Sequence, residues 1–339
     1  MAMKQPLIHN LLIAVFCLLL CSCRSGGPLM APLPGWRVRD IPLPSGTATS
    51  GSLALDAAGG RLYLGRPGAG GVLLVDLSSE KSATITARLP HVGAMCVVPG
   101  FHVLAAALPG KHSIAIFETR TGRELDRYQV PLTPEALQPV PGSPLVLVGD
   151  RRRNHLVSLN ILTGVPGPLL SMKVPFRGLC YDPVTRKVLA ALPDQNAVAE
   201  IDLKQGVVSA RHAVPGKGRP DWIAVSRHPH RAYVLCGRQD RLYVFDLKDF
   251  SVVETLRTGS DPDSMAVDRR WRRVYVACRS GMLNIYAPAG GRLKAVAGFF
   301  VGPGARRVAV DSKTHRFYVP VLNSKQKPVI REFIPPGKS

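Results

Sequence analysis

Seven short apolar runs recur along the chain at a nearly constant distance, and this repeat limits the fold more than any other feature. The runs occupy residues 53–56, 95–98, 137–140, 179–182, 223–226, 265–268 and 308–311. Their last residues lie 42, 42, 42, 44, 42 and 43 positions apart. Self-similarity at such a period is typical of repeat architectures in which each unit packs against its neighbours.

Each repeat unit contains the signals of several short strands. Apolar and aromatic runs such as 72–75 and 242–245 end in an acidic residue, Asp76 and Asp246, twenty positions after the repeat anchor. Turn-forming residues separate the runs, as in Gly59-Gly60. Four strands in a unit of about 40–50 residues predict a propeller blade. We therefore predict an all-β fold, a seven-bladed β-propeller with four antiparallel strands per blade in one domain over residues 36–339.

The last blade is short of one strand. Its predicted strands lie near residues 307–310, 316–321 and 327–333, and no outer strand follows them. A segment with strand character, residues 37–43, precedes the first unit. We predict that this N-terminal strand completes the seventh blade and joins the two ends of the chain.

The first 35 residues have the pattern of an export signal rather than of a folded unit. Residues 1–22 carry Lys4 and an uncharged apolar stretch over 11–20, which is too short to span a bilayer as a helix. The residues at the end of this apolar stretch, Leu20-Cys21-Ser22-Cys23, resemble a bacterial lipobox. It predicts cleavage before Cys23, lipidation of Cys23 and a tether over 23–35. The alternative is an ordinary signal peptide with an incidental cysteine. Either way we expect an exported protein, and with lipidation one anchored in the cell envelope.

The sequence motifs within the repeats resemble those of a known family. Tyr233-Val-Leu-Cys, Tyr275-Val-Ala-Cys and Tyr318-Val-Pro-Val resemble the Tyr-Val-Thr-Asn signature of the YVTN-repeat seven-bladed propellers. The passage Thr258-Gly-Ser-Asp-Pro and the step Val244-Phe-Asp-Leu are similar to other parts of that repeat. The resemblance covers residues 36–339 and implies a bacterial envelope or surface-layer-type propeller. It implies a fold rather than a reaction.

One repeat position gathers charge at a predicted mouth of the central channel. Five residues before each anchor, where the chain enters the innermost strand, the residues are Gly51, Gly93, Glu135, Arg177, Asp221, Asp263 and Arg306. We expect Arg177 to lie between Glu135 and Asp221, and Arg306 beside Asp263. Converging polar groups in a concave site favour a binding function. The alternative is a hydrated rim of compensating ion pairs.

The chain is strongly basic, and the basic residues belong to the folded part. The formal charge is +21, and Lys4 is the only charged residue among the first 22. Cations predicted in loops or strand ends on one face include Arg151, Arg152, Arg153, Arg238, Arg241 and Arg279. Such a face favours an anionic partner, for example an acidic glycan, a nucleic acid or an anionic lipid, or a protein. On the opposite face Trp271, flanked by arginines, is a candidate for base stacking.

The sequence favours a binding or scaffold role, and two other functions stay open. A lactonase-like hydrolase would use the channel mouth, but Arg177 and Arg306 are expected to keep neighbouring carboxylates ionised, which disfavours a general acid. A purely structural envelope protein would need no ligand. The histidines show no metal-binding spacing, and no cofactor motif is present. We therefore expect no metal and no cofactor, and a monomer attached to the membrane through its N-terminal lipid.

Overall fold

The computed structural model describes residues 34–66, 70–86, 89 and 91–336, with the side chains of 84–86 outside that description. The predicted signal peptide, Cys23 and nearly all of the tether lie outside the described residues and remain predictions. Within the described ranges, 28 strands form seven four-stranded antiparallel sheets. The predicted fold class, an all-β seven-bladed propeller, is confirmed. No helix in these ranges is long and apolar enough to cross a membrane.

The first four complete blades follow one another along the chain. Blade one contains β2 (Leu53–Asp56), β3 (Arg61–Gly65), β4 (Val72–Asp76) and β5 (Ser82–Thr86). Blade two contains β6 (Met95–Val98), β7 (Val103–Leu108), β8 (Ser113–Glu118) and β9 (Glu124–Gln129). Blade three contains β10 (Ala136–Pro139), β11 (Leu145–Asp150), β12 (His155–Asn160) and β13 (Leu170–Ser171). Blade four contains β14 (Leu179–Asp182), β15 (Lys187–Leu192), β16 (Ala197–Asp202) and β17 (Val207–Ala213).

The last three blades complete the ring. Blade five contains β18 (Pro220–Ser226), β19 (Arg231–Cys236), β20 (Arg241–Asp246) and β21 (Val252–Arg257). Blade six contains β22 (Pro262–Asp268), β23 (Arg273–Cys278), β24 (Met282–Ala289) and β25 (Arg292–Phe300). Blade seven contains β26 (Ala309–Val310), β27 (Phe317–Leu322), β28 (Pro328–Ile334) and the N-terminal β1 (Arg37–Pro42). The innermost strand of each blade neighbours that of the next, and β26 neighbours β2, so the ring is closed.

The N-terminal strand closes blade seven as predicted. Strand β1 pairs antiparallel with β28, from Arg37 opposite Ile334 to Pro42 opposite Val329. Arg331, which is 3% exposed, donates from Nε and Nη2 to the two carboxylate oxygens of Asp40, each at 2.7 Å. A bidentate pair of this kind fixes the register of the two strands as well as their contact.

The hydrophobic core consists of seven clusters, one at each interface between neighbouring blades. One cluster combines Val103 and Ile116 of blade two with Val146 and Val157 of blade three, and the other six are built in the same way. Both faces of each sheet are therefore covered by the adjacent sheets. This explains why the middle strands are more continuously apolar than a half-exposed strand would be.

The recurrent acidic residues at strand ends organise the turns. Asp76 accepts hydrogen bonds from the backbone N–H groups of Ser78 and Ser79 at 3.0 and 2.8 Å. Asp202 and Asp246 accept the equivalent bond from the residue two positions on, at 2.8 and 3.0 Å. Such side-chain bonds replace the missing backbone partners of a tight turn. These acids are therefore accounted for by folding.

Gly178 marks a close approach between blades four and five. A methyl group on Gly178 would lie 3.0 Å from the carbonyl oxygen of Asp221 and from the backbone nitrogen of Ile223. We expect Gly178→Ala to lower the free energy of unfolding by about 1–3 kcal/mol, because overpacking displaces backbone here. Gly110→Ala, where a methyl group meets nothing within 4 Å, is the control and should change it by less than about 0.5 kcal/mol. Urea unfolding measures both, and equal effects would contradict the close approach.

Candidate functional site

The seven ring positions surround one mouth of the central channel. Each lies at the second residue of an innermost strand or within three residues before it, as Asp221 does in β18 and Arg177 before β14. The innermost strands run in the same direction around a closed ring, so these positions share one end of the propeller. This end, which also carries the loops between second and third strands, is the mouth face.

Three arginines contact one carboxylate at the boundary of blades six and seven. Arg306 Nε donates to Asp263 Oδ2 at 2.7 Å, Arg279 Nη2 donates to Oδ1 at 3.3 Å, and Arg307 Nη1 lies 3.4 Å from Oδ2. The side chain of Asp263 is 13% exposed. The cations outnumber the acid here, so the cluster retains positive charge.

The other side of the mouth carries two further ion pairs. Arg152 Nε lies 3.0 Å from Glu135 Oε1, and the backbone N–H of Arg151 donates to Glu135 Oε2 at 3.2 Å. Arg177 Nε lies 3.4 Å from Asp221 Oδ1. Arg152 is largely exposed and Arg177 more than half exposed, so these pairs contribute little to stability.

Arg151 brings a buried nitrogen without a described partner to the mouth. Its Nε is buried and has no hydrogen-bond partner among the residues that the structure describes. Burial lowers the pKa of Arg151, and the nearby charges of Arg177 and Arg307 act in the same direction against the attraction of Glu135. A buried cationic donor without a partner is costly unless a ligand satisfies it. Arg151 thus brings a buried donor without a described partner to the mouth, and the positive charges of Arg177 and Arg307, although each is paired with an acid, lie close to it.

A depression of about 330 Å³ lies beside these groups. Glu135, Arg151, Arg152 and Arg177 form part of its wall, together with Phe176. Its volume is that of a small-ligand pocket. A separate cavity of about 500 Å³ lies against the inner strands of blades one to three and is lined by mainly apolar residues. The polar depression is therefore the candidate anion-binding site.

The structure divides the predicted basic face into two groups. Arg151, Arg152 and Arg279 belong to the mouth, where they contact or surround the ring acids. Arg153 and Arg238 are exposed in loops of the same end, and Arg241 begins β20, the third strand of its blade. Three of the six cations predicted on one basic face, Arg151, Arg152 and Arg279, therefore lie at the channel mouth itself.

A second repeat position explains why arginines of the basic face meet the acids of the ring. In blades two to six the residue eleven positions after the anchor directly follows the second strand. In blades two, three, five and six it lies against the ring residue of the same blade. A methyl group on Gly93 would lie 3.1 Å from Pro109, and one on Gly237 would lie 3.1 Å from Asp221 Oδ2. Arg279 contacts Asp263 in the same way. Aligning this column would have placed Arg151 and Arg279 at the mouth from the sequence.

The pKa values of two mouth acids, Asp221 of blade five and Asp263 of blade six, are displaced in opposite directions. Burial would raise the pKa of Asp263, but the hydrogen bond from Arg306 and the charge of Arg307 outweigh it and hold the pKa below its ordinary 3.8. Burial raises the pKa of Asp221, and the charges of Arg177 and Arg219 offset this only in part. The sequence predicts that arginines keep these acids ionised. The lowered pKa of Asp263 agrees with this expectation, whereas the raised pKa of Asp221 does not.

The shift at Asp263 predicts a pH-dependent stability. A carboxyl with a depressed pKa in the folded state stabilises the fold above its unfolded value of about 3.8, and this is lost as the pH falls through the lower folded value. We expect the difference in unfolding free energy between wild type and Asp263→Asn to be constant above about pH 5 and to shrink below about pH 4. Denaturant unfolding at a series of pH values measures it. A difference that grows on acidification would contradict the assignment.

Trp271 is not available for base stacking. Its ring stacks on the imidazole of His315, with centroids 3.8 Å apart and planes 7° apart. The guanidinium carbon of Arg273 lies 4.4 Å from the Trp271 centroid, and Trp36 packs edge-on at 6.1 Å. The proposed role of Trp271 in stacking nucleic-acid bases is therefore not supported by its surroundings.

Potential metal ligands are dispersed or engaged elsewhere. Within the described ranges, no group of three His, Cys, Asp or Glu side chains is arranged to hold a metal ion. His230 Nε2 lies 2.9 Å from Asp182 Oδ2 and links blades five and four. His315 links blade seven to Asp268 of blade six at 2.8 Å. These pairs connect neighbouring blades on the face opposite the mouth.

Proteins of very different sequence share this architecture. A streptogramin B lyase structure superposes with a TM-score of 0.72 at 8% identity, over 88% of this chain and 97% of that one. A chain of a mitotic checkpoint complex gives 0.72 at 11% identity, over 97% and 98%. A Kuenenia stuttgartiensis hydrazine synthase chain gives 0.69 at 13%, over 85% and 96%. These identities show the fold alone. No family model matches the chain, and no curated protein matches it.

Proposed function

We propose that this protein is a binding propeller of the bacterial cell envelope that takes the carboxylate or phosphate groups of a partner into its channel mouth. The observation that carries the proposal is Arg151, whose buried Nε has no partner among the described residues and whose neighbours include Arg177 and Arg307. An anionic group placed there would accept charge-assisted hydrogen bonds, which are the strongest that a side chain offers.

The envelope location rests on the N-terminal sequence. The apolar stretch 11–20 and the lipobox-like Leu20-Cys21-Ser22-Cys23 support export and lipidation at Cys23. The repeat wording supports membership of the YVTN-repeat type, since the Tyr233, Tyr275 and Tyr318 motifs all lie in second strands of their blades. A lipid anchor would hold the propeller at a membrane while leaving the mouth free to bind.

The proposal is tested by titrating the purified chain from residue 23 onward, with Cys23→Ser, against an acidic polysaccharide and against duplex DNA across salt concentrations. We expect saturable polysaccharide binding that weakens as salt rises. DNA binding with a log–log salt slope of about −0.9 per neutralised phosphate would identify nucleic acid as the polymer instead. Absence of binding to either polymer at low salt would overturn the proposal.

A hydrolase at the same mouth is the second candidate. Asp221 and Asp263 influence each other and have pKa values displaced in opposite directions, which is the arrangement that acid–base catalysis by two carboxyl groups needs. Hydrolysis of simple lactones that is lost in Asp221→Asn would support it. The nearby thiol of Cys236 is not a nucleophile at neutral pH, because burial raises its pKa to about 12.

A further inference from the structure

The N-terminal extension leaves the propeller at the end opposite the mouth. Strand β1 begins with Arg37 opposite Ile334, and Phe333 lies opposite Phe317, the first residue of β27. These residues adjoin the turn between the first and second strands of blade seven. The end that carries all such turns, together with those between third and fourth strands, is the tether face.

Arginines surround the point where the extension leaves. Trp36 packs on Trp271, whose turn joins the first two strands of blade six. Arg269, Arg270 and Arg272 in this turn are exposed, as is Lys313 in the neighbouring turn of blade seven. We refer to these four cations as the tether cluster. The backbone N–H of Arg269 donates to Ser312 Oγ at 3.0 Å, so the two turns form one surface.

The charge of the wider tether face has the same sign. The exposed cations in its described turns are Lys81, Arg120, Arg123, Arg186, Lys204, Arg227, Lys248, Arg269, Arg270, Arg272 and Lys313. The exposed acids in the same turns are Glu80 and Asp249. The further acids at the strand ends are half-buried or buried, and several of them accept backbone hydrogen bonds from their own turns. They offset part of this charge, but they are less exposed than the cations.

We propose that the tether face lies against an anionic lipid surface, with the tether cluster as its main contact, so that the channel mouth points away from the membrane. Cations held close to an anionic bilayer strengthen binding by roughly fivefold each. A basic surface next to a lipid anchor supplies a second membrane signal, and it favours one orientation of the propeller on the bilayer. The orientation in the cell rests on the lipid anchor of the proposed function, whereas the affinity of the face for lipid does not.

The mouth face fits this role less well although it also carries exposed arginines. Arg152, Arg177 and Arg279 are paired with acids of the ring. The extension that precedes Pro34 begins at the other end of the disc, so the mouth can reach the same membrane only if the molecule turns over. Cations of the two faces can therefore be compared directly, with equal charge removed from each.

The experiment measures partition of the chain from residue 23 onward, with Cys23→Ser, onto vesicles of phosphatidylglycerol and phosphatidylcholine. No anchor is present, so the result does not depend on lipidation. We expect binding to mixed vesicles and much weaker binding to pure phosphatidylcholine. The triple variant Arg269→Gln, Arg270→Gln, Arg272→Gln should bind about a hundredfold more weakly. The matched triple variant of the mouth face, Arg152→Gln, Arg153→Gln, Arg238→Gln, should lose less than about fivefold.

Other results overturn the proposal. Equal losses in the two triple variants would show that total charge, not the tether face, governs binding. Absence of binding to anionic vesicles would also overturn it, as would an equally large loss by the tether-cluster variant toward a soluble acidic polysaccharide, which would identify a polyanion as the occupant. Thermal unfolding of both variants confirms that they are folded. Binding at the mouth is measured separately, so failure here leaves the proposed function standing.

Discussion

Asp40→Ala is expected to lower the free energy of unfolding by about 3–5 kcal/mol, because it leaves the Arg331 guanidinium without its carboxylate at a buried position. Arg331 donates two hydrogen bonds to Asp40 across the strands that close the ring. Only 4% of the Arg331 side chain is exposed, so the guanidinium would be left poorly solvated, with the carbonyl oxygen of Val301 as its retained partner. Urea unfolding followed by circular dichroism measures the change.

The control for this prediction is an exposed ion pair of the same chemistry. Arg127 Nε lies 2.8 Å from Glu124 Oε1 on the outer strand of blade two, and both side chains are more than a third exposed. Glu124→Ala should change the free energy of unfolding by less than about 1 kcal/mol. If Asp40→Ala cost no more than Glu124→Ala, the N-terminal strand would not be a stabilising part of blade seven.

The double variant Arg151→Gln, Arg307→Gln is expected to weaken binding of an acidic polysaccharide by about thirtyfold or more. Burial lowers the pKa of both guanidinium groups, which shows that water solvates them poorly. Removing a poorly solvated charge reduces the affinity for a ligand more than removing an exposed charge does. Asp263 keeps its contacts with Arg306 and Arg279 in this variant, so the mouth should stay folded. Isothermal titration at fixed salt measures the loss.

The matched control removes the same charge from exposed loops of the same face. Arg153 and Arg238 are exposed there, and Arg153→Gln with Arg238→Gln should weaken binding by less than about fivefold. Similar losses in the two double variants would mean that the ligand responds to the net charge of the face. The mouth would then be an ordinary hydrated rim of ion pairs.

The architecture was predictable because each sequence repeat corresponds to one blade. Seven anchors at a fixed spacing count the blades, and the strand character of the segment before Leu53 identified the strand that completes the seventh blade. The channel ring followed from the same alignment, since equivalent positions in a symmetric ring must lie at one end. Turn acids such as Asp76 were visible as a column, although their role as caps became evident only from their hydrogen bonds.

The chemistry of the mouth was less predictable because it depends on loops that the repeat does not constrain. The backbone N–H of Arg151 and the guanidinium of Arg152 contact Glu135 because their loop returns toward the channel, whereas the backbone N–H of Arg153 donates to Asp150. Arg307 lies one position beyond the ring column, and its guanidinium reaches Asp263. Trp271 lies among arginines in a turn, and the sequence therefore suggested an accessible ring. In the structure this ring is covered by His315, which comes from the next repeat.

The most direct test of the central claim is a footprint of arginine reactivity with phenylglyoxal, read by mass spectrometry with and without the acidic polysaccharide. We predict that the ligand protects Arg152 and Arg177, the exposed arginines that line the depression at the mouth, while Arg153, Arg238 and the arginines of the tether cluster keep their reactivity. Protection confined to Arg269, Arg270 and Arg272, or equal protection of all exposed arginines, would contradict binding at the channel mouth.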